Sequence, residues 1–139
     1  MPSEFKITRM VEFHETDMAG IMHFANYFHF MEAAEHAFIR SLGLSIAGAG
    51  AEPGIGWPRV SVSCDYKRPL KFQDVVEVHL KVSSISEKAI TYAFFFRKEG
   101  EKEITALGSI TVVCVTFRDG KMQATFIPKS FAEKIEAAR

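Results

Sequence analysis

Residues 26–42 constrain the fold more than any other part of the sequence, because a helix formed by them would have almost no side that could face water. Apolar side chains recur there at helical spacing, and further apolar residues widen the stripe until little polar surface remains. Gly43 follows and is typical of a helix C-terminus. Such a helix must be largely buried, so the rest of the chain has to cover it. The residues at helical spacing are Tyr27, Phe30, Met31, Ala34, Phe38 and Leu42.

The segments on either side of this helix alternate apolar and polar residues, which is typical of half-buried strands. One such segment, residues 5–13, precedes the helix, and a loop rich in glycine and proline, residues 44–58, follows it. Asp119-Gly120 indicates a hairpin, and residues 129–139 predict a short surface helix. Strands in unbroken succession after one helix predict an α+β fold with an antiparallel sheet that curls around the helix. The later strands are predicted at residues 60–66, 75–85, 89–98, 104–118 and 122–127.

The composition bounds the class of protein. A length of 139 residues suits one domain, predicted at residues 1–139, and 47 % hydrophobic with 24 % charged residues are ordinary for a globular protein. Seventeen basic against seventeen acidic residues argue against a nucleic-acid partner. Cys64 and Cys114 are too few for a disulfide scaffold, and we expect both to be small buried hydrophobes. Without an apolar run of about 18 residues or a leader segment, we expect a cytoplasmic protein with no membrane partner.

The loop between the first strand and the helix carries the residues best suited to chemistry. Asp17 lies in it, a few residues before the helix begins. Helix N-termini expose unpaired N–H groups and a partial positive charge, and these can hold an oxyanion. A carboxylate that faces such a helix end is the minimum for acyl transfer, because it supplies a nucleophile or base beside an oxyanion hole. On spacing alone, however, a helix cap is the favoured interpretation of Asp17.

Four residue pairs follow one another here in an order that is specific to one family of proteins: Thr16-Asp17, Ala19-Gly20, Ile21-Met22 and Asn26-Tyr27. This motif resembles the signature of the 4-hydroxybenzoyl-CoA thioesterase family of the hot-dog fold. Residues 66–74 are similar to the second block of that family, although Gln73 stands where a Gly is usual. The resemblance extends from Phe5 to about Phe117. It implies one long buried helix wrapped by a curved antiparallel sheet of five to six strands.

The resemblance also implies an activity, the hydrolysis of the thioester of an acyl- or aryl-CoA. Asp17 would be the catalytic carboxylate, either as the nucleophile or as the base that activates water. The backbone N–H of Phe24 would polarise the thioester carbonyl, and Gly20 would let the backbone pass close to the acyl group. Since a thiol has a pKa of about 8.5, its thiolate leaves at neutral pH with little help from an acid. No cofactor is expected.

Five residues are candidates for substrate binding. Tyr27 belongs to the motif, and His23 would either line the acyl pocket or be a hydrogen-bonded structural residue, with equal weight. Trp57 would wall or cover the pocket, although a plain loop position is nearly as good an interpretation. Lys67 and Arg68 are candidates for the phosphates of coenzyme A, because phosphates need cationic donors more than a fixed spacing.

His29, Glu32 and His36 fall on one face of the predicted helix at a spacing that could hold a metal. No compact ligand motif accompanies them, so we expect a polar stripe at a dimer face and no metal site. Glu32 could also hydrogen bond near the loop that holds Asp17. A curled sheet leaves edges and an outer face, which oligomerisation commonly covers. We therefore expect a homodimer or homotetramer, with each site at a subunit boundary.

Two other functions remain open from the sequence. The same fold could bind an acyl-CoA or an acylated carrier without turning it over, since a fold does not fix a function. Asp17 argues against this alternative, because a pure binder has no need of an acid beside the helix N-terminus. An enoyl-CoA hydratase is the third candidate. Hot-dog hydratases pair an Asp with a His at a shorter spacing than that between Asp17 and His23, which weakens it.

Overall fold

A computed structural model describes residues 2–47 and 51–138 of the chain. One long helix, α1, spans Asn26–Ser41, and a single 3₁₀ turn, Phe13–Glu15, precedes it. A second helix of four residues, α2, spans Lys129–Ala132. The strands are β1 (Glu4–Met10), β2 (Ile55–Gly56), β3 (Arg59–Tyr66), β4 (Val75–Ile85), β5 (Ala89–Lys98), β6 (Ile104–Val113), β7 (Val115–Arg118) and β8 (Lys121–Ala124).

Five of the strands form one antiparallel sheet in the order β1-β4-β5-β6-β3, and β2, β7 and β8 form a small second sheet. The large sheet curves around α1 and buries the centre of its apolar stripe: Phe30, Met31, Ala34 and Phe38 are all 0 % exposed, whereas Leu42 at its end is partly buried. A Cβ at Gly108, in the middle of β6, would collide with Met31. The glycine therefore lets helix and sheet approach closely. This architecture confirms the predicted α+β fold class.

The C-terminal half of the chain differs from the sequence prediction in where its strands break. Residues 104–118, predicted as one strand, divide at Cys114, because the Cys114 N–H donates to Lys88 O and the following residues join the small sheet. The last strand ends at Ala124 rather than at residue 127, since the Ile127 N–H donates to Glu87 O outside the ladder. The predicted helix over residues 129–139 is only α2.

Other differences lie before and after α1. The first strand ends at Met10 rather than at residue 13, and Phe13 is 75 % exposed in the 3₁₀ turn. Residues 48–50 of the predicted loop lie outside the described residues, and residues 55–56 of that loop form the short strand β2. Within the described residues, no helix has the length and apolarity needed to cross a bilayer.

Strand β3 lies at the edge of the large sheet, and its apolar residues are unusually exposed. Val60 is 60 % exposed, Val62 50 % and Tyr66 45 %, although they alternate with polar residues as core positions do. Cys64, on the same face, is partly exposed rather than buried as predicted, whereas Cys114 is buried. An edge strand in a single chain has only one neighbour, so its apolar face is not fully covered.

Candidate active site

A cavity of about 520 Å³ lies between the loop that precedes α1, the first turn of α1 and the end of β3. It has the size of a pocket for a small organic ligand. Five of the sequence-predicted site residues meet here. The lining residues are Asp17, Ile21, Met22, Phe24, Tyr27, Tyr66, Lys67, Arg68 and Pro69.

Asp17 is held at this cavity by a turn formed by residues 17–20. The Ala19 N–H donates to Asp17 Oδ1 at 2.8 Å, and the Gly20 N–H donates to Asp17 O at 3.0 Å. Gly20 has a φ of 80°, which only glycine adopts without strain, so the turn explains its place in the motif. The Asp17 N–H donates to Ile21 O, which closes the loop as a small hairpin. The turn thus fixes one carboxylate oxygen by its own backbone.

Asp17 is not the cap of the helix. The N-cap residue of α1 is Ala25, no side chain caps it by a hydrogen bond, and the first turn contains no acidic residue. The helix start is instead tied to the 3₁₀ turn, because Asn26 Nδ2 donates to Glu15 O at 2.8 Å and the His23 N–H donates to the same oxygen. The Asn-Tyr pair of the motif therefore anchors the helix start beside the loop of Asp17.

The N-terminal turn of α1 leaves backbone donors open at the cavity. The Ala25 N–H donates to His23 Nδ1 at 3.2 Å, and the Asn26 N–H donates to His23 O at 3.0 Å. Among the described residues, by contrast, the amides of Phe24 and Tyr27 donate no hydrogen bond. Both residues line the cavity that Asp17 also lines. An acidic residue and the N-terminal residues of a helix thus line one cavity.

Tyr27 and Tyr66 form the aromatic wall of the cavity. Their rings pack edge to face with centroids 4.8 Å apart, and the Tyr66 hydroxyl donates to Phe24 O at 2.9 Å. Burial, with smaller contributions from neighbouring ionisable groups, raises the pKa of Tyr27 to about 12 and that of Tyr66 to about 12. Both hydroxyls are therefore neutral near pH 7 and act as hydrogen-bonding groups rather than bases. Burial also raises the pKa of the Cys64 thiol to about 11, which makes it a poor nucleophile.

Lys67 and Arg68 form the cationic rim of the cavity. Their backbone N–H groups both donate to Thr105 O, at 2.8 and 3.0 Å, so β6 fixes where the rim lies. Arg68 Nε lies 3.1 Å from Glu103 Oε2 in an ion pair, and both side chains are well exposed. Such an ion pair contributes little to stability, so Arg68 is available to an anionic ligand.

Three of the sequence-predicted site residues are not among the described residues that line the cavity: Gly20, which forms the turn of Asp17, and also His23 and Trp57. His23 stacks on Phe24 with ring centroids 4.6 Å apart and accepts a hydrogen bond from the backbone through Nδ1. Trp57 is only 8 % exposed and packs on Phe131 in the core, with centroids 4.9 Å apart. Neither is among the described residues that line the cavity. Their roles in substrate binding stay predictions.

The polar side of α1 is organised around an ion pair that the sequence did not reveal. Glu35 is 0 % exposed and receives two hydrogen bonds from Arg59, which also contacts Glu32 at 3.2 Å. Burial alone would lower the pKa of Arg59, but its hydrogen bonds to Glu35 raise it instead. Glu32 therefore contacts β3 through Arg59, and it also lines a second cavity with Glu15, at the start of the loop that holds Asp17. Among the described residues, no group of three or more His, Cys, Asp or Glu side chains could hold a metal ion.

The two residues that sequence reasoning missed left different signals. Glu35 is a charged residue within an apolar helical stripe, a pattern that indicates a buried ion pair. Tyr66 was noted only as an apolar strand position at the head of residues 66–74. Its hydroxyl bonds with a residue 42 positions away in sequence, which no local pattern shows.

Comparisons with known proteins agree over nearly the whole chain. A family model described as the thioesterase-like superfamily matches residues 11–135. The crystal structure of a hypothetical protein from Aquifex aeolicus is 32 % identical, with a TM-score of 0.84, and the match covers 95 % of this chain and 99 % of that one. The structure of a gentisyl-coenzyme A thioesterase is 30 % identical, with a TM-score of 0.80, and covers 92 % and 99 %. An acyl-CoA thioesterase of Haemophilus influenzae is 26 % identical over 134 residues, which is 96 % of this chain and 93 % of the relative.

Proposed function

Because the chain belongs to the thioesterase-like superfamily and is a thioester hydrolase, we propose that it hydrolyses the thioester of an acyl- or aryl-coenzyme A in the cavity beside Asp17. One observation carries this proposal: Asp17 lines the same cavity as Phe24 and Tyr27, the two residues at the start of α1 whose backbone N–H groups donate no hydrogen bond among the described residues. A thioester placed between them would have its carbonyl oxygen near the donors and its carbonyl carbon within reach of the carboxylate.

Asp17 supplies the negative charge of the reaction. As the nucleophile, it would attack the carbonyl carbon and form a mixed anhydride, which water then hydrolyses. As a general base, it would take a proton from water while the water oxygen attacks. In both routes the carbonyl oxygen gains negative charge, and the Phe24 N–H would stabilise it, with the neighbouring Tyr27 N–H as a second donor. Gly20 supports either route, because the turn that it permits holds Asp17 in place.

The leaving group of this reaction, a thiol, does not need a dedicated general acid. The coenzyme A thiol has a pKa near that of cysteine, about 8.5, so its thiolate departs at neutral pH without a dedicated acid. Tyr27 and Tyr66 keep their protons under these conditions, since the pKa of each is raised to about 12. They therefore shape the pocket as neutral groups. The aromatic wall that they form favours an aromatic acyl group, and a relative of known structure is named as a gentisyl-coenzyme A thioesterase.

Lys67 and Arg68 at the rim would bind the phosphates of coenzyme A. Both carry a positive charge at neutral pH, and both line the cavity that holds Asp17. His23 would orient the helix start through its bond with the Ala25 N–H, and Tyr27 would contact the acyl group.

The exposed edge strand β3 supports assembly into a homodimer or homotetramer. Val60 and Val62 present apolar side chains on a strand that has a free edge, and Tyr66, which lines the cavity, ends the same strand. A second copy that covers this edge would therefore lie close to the cavity and could complete its wall.

A thiol-release assay with a panel of CoA esters tests the proposal. Asp17→Asn keeps the size of the side chain and removes its charge, so we expect kcat to fall by about 10²–10⁴, the usual contribution of a positioned acid or base. Asp119→Asn makes the same change in an exposed hairpin turn and should leave turnover unchanged. If the unaltered chain releases thiol from no ester, the binding alternative is correct. If Asp17→Asn is as active as the unaltered chain, Asp17 is not the catalytic carboxylate.

A further inference from the structure

Tyr66 connects the edge strand of the sheet to the N-terminal turn of α1. It is the last residue of β3, and its ring packs edge to face on Tyr27 at 4.8 Å. Its hydroxyl donates to Phe24 O at 2.9 Å. The bond therefore ends on the residue whose N–H is an open donor at the cavity.

The helix itself does not use the carbonyl that Tyr66 holds. In a regular α-helix the Phe28 N–H would donate to Phe24 O, four residues earlier. Here the Phe28 N–H donates to Ala25 O at 3.2 Å, so the first turn is tightened and Phe24 O is left for another donor. Tyr66 is that donor. It occupies a carbonyl that would otherwise continue the helix by one residue toward the loop.

The Phe24 N–H shares a rigid peptide unit with the His23 carbonyl, which accepts from the Asn26 N–H at 3.0 Å, so residues 23–26 hold one side of Phe24 within their own turn. The Phe24 side chain is 61 % exposed, and the ring contact recorded for it is with the adjacent His23, which belongs to the same turn. The Phe24 carbonyl lies on the other side of this residue, and the bond from Tyr66 therefore fixes where the whole turn, with its N–H, lies relative to β3. Among the described residues, this is the hydrogen bond that joins Phe24 to the large sheet.

We propose that Tyr66 is a positioning residue for thioester hydrolysis: its hydroxyl holds the Phe24 carbonyl so that the Phe24 N–H points at the thioester oxygen. This inference rests on the proposed function of the cavity. It assigns Tyr66 no proton transfer, because its hydroxyl is already engaged with Phe24 O. An oxyanion donor that is fixed before reaction costs no reorganisation in the transition state, which explains why the sheet would supply this bond.

Steady-state kinetics of Tyr66→Phe test the inference, because this variant keeps the ring that packs on Tyr27 and removes only the hydroxyl. We expect kcat for benzoyl-CoA to fall about tenfold, which corresponds to about 1.4 kcal/mol in the barrier. KM and the melting temperature should change little, since in this account the hydroxyl contacts no substrate and its hydrogen bond to Phe24 O lies at an exposed position. Tyr92→Phe is the matched control, because Tyr92 lies in the core and outside the cavity lining of the described residues. It should leave kcat unchanged.

A spectroscopic measurement separates this inference from the proposed function. Benzoyl-CoA labelled with ¹³C at the carbonyl is bound to Asp17→Asn, which cannot turn it over rapidly, and the carbonyl stretch is read by difference infrared spectroscopy. In Asp17→Asn, we expect the carbonyl of the bound ester to absorb at a lower frequency than that of the free ester. In the double variant that also carries Tyr66→Phe, we expect part of this frequency shift to be lost. An unchanged kcat in Tyr66→Phe, or the same stretch in both backgrounds, would overturn the inference. Full turnover by Asp17→Asn would overturn the proposed function, and the kcat of Tyr66→Phe would still decide this inference.

Discussion

The two ends of α1 differ in whether their backbone N–H and C=O groups find hydrogen-bond partners. At the C-terminal end, Gly43 has a φ of 78°, and its N–H donates to Arg40 O while the Leu44 N–H donates to Ile39 O. The Lys134 side chain also donates to Leu42 O at 3.0 Å. At the N-terminal end, no side chain caps the helix, and among the described residues the Phe24 N–H finds no acceptor.

The C-terminal end of α1 thus serves the stability of the helix, whereas the N-terminal end lies at the candidate active site. A helix that leaves backbone donors without partners loses stability that a cap would have supplied, about 1 kcal/mol for a typical N-cap side chain. At the C-terminal end, by contrast, the chain supplies donors for the last backbone carbonyls of the helix. At the N-terminal end, the residues with open donors line the cavity of Asp17, as the proposed oxyanion hole requires.

Among substitutions that compare the two ends of α1, the largest effect is expected from removing the open donor itself. Phe24→Pro deletes the N–H, and kcat should fall by about 10²–10³, as when an oxyanion-hole donor is lost. Stability should change little, because that N–H makes no hydrogen bond within the described chain. Thiol release and thermal melting, measured on the same preparation, check both parts. A variant that melts normally and keeps its kcat would remove Phe24 from the reaction.

Two of the glycines with positive φ, Gly20 and Gly43, offer a matched pair of substitutions, one beside each end of α1. Gly20→Ala and Gly43→Ala each place a Cβ where φ is 80° or 78°, which costs about 1–2 kcal/mol of stability. Neither new Cβ would meet a close contact, so the strain is the same. We expect equal losses of unfolding free energy in urea, with kcat reduced only by Gly20→Ala. Equal activities would mean that the turn at Asp17 serves stability alone.

The smallest effect concerns stability at high pH. The pKa of Tyr27 is raised by burial from 10.0 to about 12, so the folded chain holds this proton more tightly than the unfolded chain does. This stabilisation is complete below pH 10 and is lost as pH rises toward 12. Tyr27→Phe should therefore lose less stability over this range than the unaltered chain, as measured by urea unfolding at a series of pH values. Parallel pH profiles for the two proteins would contradict the raised pKa.

Much of the fold was predictable because its signals are local. The apolar stripe of α1 and the alternation in β4 and β5 fixed those elements, and the structure places both strands within the predicted residues. The family resemblance of residues 13–27 is confirmed by the match over residues 11–135. The strand order β1-β4-β5-β6-β3 was not predictable in this way, since it depends on pairings between distant segments.

The site was predictable where one motif contains it, and not where it is assembled from two segments. Asp17, Phe24 and Tyr27 lie within 11 positions of one another in the sequence, and the structure brings them to one cavity. Tyr66 escaped prediction because its partner lies in another element, and its place in an alternating strand indicated only packing. Trp57 was chosen from its neighbours in a glycine-rich loop, whereas the structure places it in the core on Phe131.

The most direct test of the central claim is the crystal structure of Asp17→Asn with a bound CoA ester. The account predicts that the thioester carbonyl oxygen lies about 3 Å from the Phe24 nitrogen, with the side chain at position 17 facing the carbonyl carbon. An ester bound elsewhere, or one whose carbonyl points away from the start of α1, would contradict it.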